Sequence, residues 1–157
     1  MTPGLLRRAG RLTRDNLAAV LLVVGLGVGL FIISLHRYLL FHALVEMFSI
    51  VIALLVFSLT WNVRHNLKNG YLLFLGISYL FVAGLDLLHT LAYPGMGVFP
   101  GTDPATPNGP NLGTQLWLAA RYMQSLALVA APFHLRRLSS PWVIVLAFGA
   151  ATSALLL

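Results

Sequence analysis

Apolar residues gather in five long runs, approximately 17–35, 38–60, 71–92, 112–135 and 142–157, with short polar segments between them. A helix rises about 1.5 Å per residue, so runs of this length cover most or all of a hydrocarbon core about 30 Å thick. In lipid the backbone must satisfy its own hydrogen bonds, which makes helix the expected form of each run. The pattern therefore predicts an all-α fold, a polytopic transmembrane bundle of about five spans. The connectors are His36-Arg37, Trp61 to Gly70, Tyr93 to Asn111 and Arg136 to Pro141. Three of them are short, so consecutive spans are expected to lie antiparallel. The sequence stops at Leu157 inside an apolar run. A sixth span is expected beyond it, in a longer natural protein.

Composition strengthens this picture. Hydrophobic residues make up 59% of the chain and charged residues only 9%, far below the quarter or so usual in soluble domains. The net charge of +6 does not point to nucleic acid, because the basic residues sit in short clusters between apolar runs. Such clusters set membrane orientation instead. With the N-terminus cytoplasmic, Arg7, Arg8, Arg11, Arg14, Arg64, Lys68, Arg136 and Arg137 all fall inside, and outside there is only Arg37. Residues 1–16 then form a cytoplasmic basic tail and 17–157 a membrane-embedded domain. The first run is longer than a signal-peptide core and no small-residue cleavage site follows it, so it reads as a retained anchor. Trp61, Tyr71, Tyr93 and Trp142 fall near span ends, as interfacial aromatics do. Gly25 to Leu30, GLGVGL, reads as small-residue helix packing. There is no cysteine, which excludes a disulfide framework, a thiolate metal site and a thiol nucleophile.

Against this apolar background the ionisable residues stand out, since each one inside a span costs about 2.5–3.5 kcal/mol on insertion scales. The second run opens with His42-Ala-Leu-Val-Glu46 and the third closes with Asp86-Leu-Leu-His89. Residues three or four apart share a helix face, so each motif presents an imidazole and a carboxylate together. Antiparallel topology adds the next step: both motifs fall in the outer leaflet, with Glu46 roughly 6–12 Å below the outer end of its span. The fourth span enters from the same side with Gln115, then Arg121 beside Tyr122, and a long arginine stem can reach either carboxylate.

Three kinds of chemistry fit this set. It can be a structural network in which Arg121 neutralises a carboxylate. It can be a metal site at His42, Glu46, Asp86 and His89, suited to zinc, copper or iron, with axial haem ligation as a variant. It can also be a pocket for a small anionic ligand or a proton. Catalysis has little support, because there is no H-E-x-x-H run and no G-x-S-x-G elbow. His36 sits at the outer surface, and His65 and His134 read as solvated loop residues at the inner one.

Several strings carry a resemblance. YLLFLGISYLF (71–81), GLDLLHTLAY (84–93) and QLWLAARYMQS (115–125), within a stretch from about Phe41 to Phe133, make the chain similar to the third type of bacterial membrane-associated sensor domain (MASE type three). His42, Glu46, Trp61, Asn62, Arg64, Asp86, His89, Gln115, Trp117, Arg121 and Tyr122 all lie in family-like positions. Pro94 and the long, proline-rich segment Thr102 to Pro110 depart from the pattern. The resemblance implies an N-terminal sensory module of a histidine kinase, diguanylate cyclase or phosphodiesterase in the bacterial inner membrane, with the lipid bilayer and a cytoplasmic output domain as partners. A homodimer is expected, and no catalytic domain in this chain. The alternative is a self-standing metal-binding or transporter-like membrane protein.

Overall fold

The computed structural model describes residues 3–99, 111–135 and 140–156, of which 3–15 in backbone only. Asp103, Arg136, Arg137 and the segment Thr102 to Pro110 lie outside the described residues, as do the side chains of the N-terminal arginines. Among the described residues the fold is all-helical, with α1 (Pro3–His36), α2 (Tyr38–Val63), α3 (Tyr71–Leu91), α4 (Leu112–Ala130) and α5 (Pro141–Leu156). Single 3-10 turns at Arg64–Asn66 and Ala131–His134 extend α2 and α4.

Among the described residues, three segments are long and apolar enough to cross a membrane: Asn16–His36, Tyr38–Asn66 and Tyr71–Leu91. The other two helices fall short for different reasons. α4 carries Gln115, Arg121 and Gln124 along its length, which dilutes its apolar character. α5 is apolar but only 16 residues long.

The chain divides into two compact units, Met1–His42 and Ala43–Leu157. In the first, the 21 residues Asn16–His36 include none that is buried. A run of that length measures about 31 Å as a helix, which matches the hydrocarbon core, and its Leu, Val and Phe side chains suit lipid rather than water. The connector expected at His36-Arg37 is reduced to one non-helical residue. Arg37 N–H donates to Ile33 O at 2.7 Å and Phe41 N–H donates to Arg37 O at 3.1 Å, so bonds of helical spacing cross it. The expected loop is a helical junction instead, because these bonds leave no backbone group of the junction needing a turn.

In the second unit α3 is the central helix. Ten of its residues are buried, from Leu73 to Thr90, and it packs against α4, α5 and the Ala131–His134 turn. Val82 and Leu85 of α3, with Ala92 directly after it, meet Leu116, Ala119, Ala120 and Met123 of α4. Ala83 meets Ile50 and Ala53 of α2. Leu73 and Ile77 pack with Ile144 of α5, flanked by Phe57, Trp61 and Phe148. α2 approaches α3 closely at Gly76, where a Cβ would stand 2.5 Å from Thr60 Cβ. Only glycine permits that contact.

At the far end of α2, Arg64 lies over the Trp61 ring at 4.5 Å, and Trp61 meets Trp142 edge to face at 5.7 Å. His134 departs from the expected solvated loop residue. It is half-buried and stacks on Phe74 at 4.1 Å between centroids, because the turn after α4 folds back on α3: Gly70 N–H donates to His134 O at 3.1 Å. His65 is exposed.

Candidate functional site

Glu46, Asp86, His89 and Arg121 of the second unit meet where the beginning of α2, the end of α3 and the first half of α4 come together. They form two pairs. The first joins α3 to α4. Arg121 Nη2 donates to both carboxylate oxygens of Asp86, at 2.5 and 2.6 Å, while Nη1 donates to Gln124 Oε1 at 2.8 Å. Asp86 is 2% exposed. A carboxylate buried so deeply among apolar helices is tolerable only with a cation on it, and Arg121 supplies that charge through short, charge-assisted bonds. Arg121 Nε is buried without a hydrogen-bond partner among the described residues.

The second pair joins α2 to α3. His89 Nε2 lies 3.9 Å from Glu46 Oε1, with the imidazole buried and the glutamate half-buried. The other ring nitrogen, Nδ1, is 2.8 Å from Gly113 O at the start of α4. A carbonyl oxygen only accepts, so Nδ1 carries the hydrogen and donates it. Nε2 is thereby the nitrogen that faces the carboxylate. Tyr93 meets the same imidazole edge to face at 6.3 Å.

Local sequence explains why these groups converge. Asp86 and His89 are three apart on α3, and Thr90 secures the turn between them by donating its hydroxyl to Asp86 O at 2.8 Å. α4 begins at an asparagine cap, where Asn111 Oδ1 accepts from Thr114 N–H at 3.3 Å, a usual way to satisfy a free N-terminal amide. Gly113 then lets α4 pass close to the end of α3, since a Cβ there would meet Ala92 O at 3.2 Å. That approach brings the Gly113 carbonyl within reach of His89.

His42 lies on α2, one turn before Glu46, and is half-buried. Its ring stacks with that of Tyr38 at 6.4 Å. The i, i+4 spacing on an unbroken helix puts His42 and Glu46 on one face. Gln115 and Tyr122 are exposed on α4. Sequence reasoning did not single out Gln124 or Gly113. Gln124 stands at i+3 from Arg121, a spacing that would have found it. A backbone acceptor such as Gly113 O has no signature in sequence.

A helical bundle with membrane-spanning helices and a buried polar site at one end defines the class as an integral membrane protein. Residues 33–157 match the family model of MASE3, a membrane-associated sensor domain, and the chain belongs to that family. Its class is a membrane sensor, as the resemblance of the sequence implied. Neither a curated protein nor a solved structure matches the chain at a significant level.

Proposed function

We propose that this chain is the sensory input domain of a bacterial signalling protein, receiving a signal at the polar site of α2, α3 and α4 on the outer side of the inner membrane. The carrying observation is that Asp86 and His89, the buried ionisable side chains among the described residues, pair with Arg121 and Glu46 at one end of the second unit and tie three helices together. A ligand acts on such a bundle only by binding two helix arrangements with different affinity, and a contact shared by three helices offers that difference. The signal passes along α2 and α3 to a cytoplasmic output domain of the same polypeptide, in a homodimer.

Orientation follows from charge. Arg64 and Lys68 follow α2 at the end away from the site, about 27 Å along the helix from Glu46. Arg136 and Arg137 follow α4, and the segment from Tyr93 to Asn111 has no lysine or arginine. The basic end is inside by the positive-inside rule, and the polar site is outside. Transport is the weaker reading, because a path across the membrane needs polar groups at all depths. Residues 51–57 of α2, VIALLVF, provide none.

The chain has no native cysteine, so single cysteines report cleanly. A membrane-impermeant maleimide added to intact cells should label Val98→Cys, at the site end, and leave Lys68→Cys unlabelled until the cells are opened. The reverse pattern would place the site inside and overturn an external input.

A further inference from the structure

We infer that the signal ligand is a divalent transition-metal ion of the zinc class, held by Glu46 and His89 with His42 as the third ligand. The inference rests on the sensory reading of this site and gives that reading a chemical identity.

Four observations carry it. The first is the state of His89. Donation from Nδ1 to Gly113 O leaves Nε2 as the nitrogen turned toward Glu46, and a ring nitrogen anchored to a backbone carbonyl is the usual outer support of a metal-bound imidazole. The second is spacing. At 3.9 Å the Nε2 and Oε1 atoms are too far apart for a hydrogen bond. Zinc ligands at about 2.0–2.2 Å stand about 3.4 Å apart at a tetrahedral angle, so a closure of about 0.5 Å seats one ion between them.

Charge is the third. Asp86 is bound on both oxygens by Arg121, which sets that carboxylate aside and leaves Glu46 as the anion that offsets a dication at the neighbouring position. The fourth is helix register. His42 precedes Glu46 by four residues on α2, the spacing by which one helix presents two ligands to the same ion. Two imidazoles and a carboxylate form an N/O set that favours zinc, copper or nickel over calcium and magnesium, which prefer oxygen alone. A fourth position remains for water, as in open zinc sites.

The test uses the full chain in lipid nanodiscs after chelator treatment, with zinc(II) as titrant followed by calorimetry and cobalt(II) as a spectroscopic probe. One zinc per chain is expected, together with cobalt absorption bands typical of four-coordinate N/O ligation. Glu46→Gln, which keeps the side-chain shape, and His89→Ala should each weaken zinc binding by at least about tenfold, and His42→Ala should do likewise. His65→Ala, on an exposed histidine, should leave it unchanged. If His89→Ala does not fold, Glu46→Gln and the wild-type cobalt spectrum still decide. No zinc uptake by the wild type at millimolar metal, or uptake that survives both Glu46→Gln and His89→Ala, overturns the inference. Spin labels at Asn66→Cys and Leu135→Cys, at the other end of the unit, separate the two ideas. Zinc that binds at Glu46 and His89 without changing the label distance would sustain the metal site and contradict sensing. A label distance that responds to Glu46→Gln in a protein that takes up no zinc would contradict the metal and sustain sensing.

Discussion

His89 Nδ1 and the carbonyl oxygen of Gly113, 24 residues apart in sequence, lie 2.8 Å from one another. The contact anchors the end of α3 to the start of α4 and fixes which ring nitrogen carries the hydrogen. Nitrogen-15 spectra of histidine-labelled protein should therefore show His89 protonated at Nδ1 in its neutral form. A neutral ring protonated only at Nε2 would mean that the Gly113 contact is not made in the membrane. Gly113→Ala, which forces a Cβ toward Ala92 O, should weaken the same contact and cost about 1–3 kcal/mol in stability.

The Asp86–Arg121 pair sets a second expectation. Arg121→Met leaves a carboxylate that is 2% exposed with no cation beside it, and removing one partner of a buried pair costs about 3–5 kcal/mol. Asp86→Asn leaves the guanidinium uncompensated and should cost a similar amount. The double variant Asp86→Asn/Arg121→Met should lose clearly less than the two single losses added together, as coupled groups do. Denaturant-driven unfolding in bicelles measures all three. Additive losses would show that the two side chains act independently.

Gly76 gives a steric prediction. An alanine Cβ there meets Thr60 Cβ at 2.5 Å and Thr60 Cγ2 at 2.7 Å, so Gly76→Ala should separate α2 from α3 and destabilise by about 1–3 kcal/mol. Thr60→Ala should not rescue it, since the Thr60 Cβ itself is in the way. Thr60→Gly removes that atom, and in its background the further cost of Gly76→Ala should largely disappear. Thermal unfolding of the four proteins in detergent reads the cycle.

At the other end of α2 the contributions are unequal. Trp61 packs with Phe57 and Trp142 and carries Arg64 above its face. Arg64→Ala removes the cation–π contact, worth about 0.5–1 kcal/mol at a partly exposed site, and the hydrogen bond that Arg64 Nη1 donates to Trp61 O at 2.7 Å. Trp61→Ala removes aromatic packing as well and should cost at least twice as much. Equal losses in the same unfolding assay would assign the stability of this corner to the arginine.

The all-helical membrane fold was legible because lipid burial writes itself as long apolar runs, and α3 and α4 begin at Tyr71 and Leu112, where polar connectors give way to them. The family was legible too, from strings too particular for hydrophobicity alone. The pairing inside the site was not. Arg121 can reach either Glu46 or Asp86 by length, and only the close α3–α4 contact at Ala119 and Ala120 commits it to Asp86. The weak transmembrane character of α4 follows from the same residues, since Arg121 and Gln124 serve the site and not the lipid. At Arg37 a charged residue looked like a connector, yet the hydrogen bonds that cross it come from the backbone, which side-chain polarity does not report.

The central claim is that the state of the Glu46–His89 pair is read at the opposite end of the helices. Double electron–electron resonance between spin labels at Asn66→Cys and Leu135→Cys, in nanodiscs, tests it most directly when Glu46→Gln is compared with the unsubstituted background, each with and without zinc. The account predicts that zinc shifts the distance distribution in the background protein and that Glu46→Gln alters the distribution and removes its response to zinc. Distributions that coincide in all four samples would contradict it.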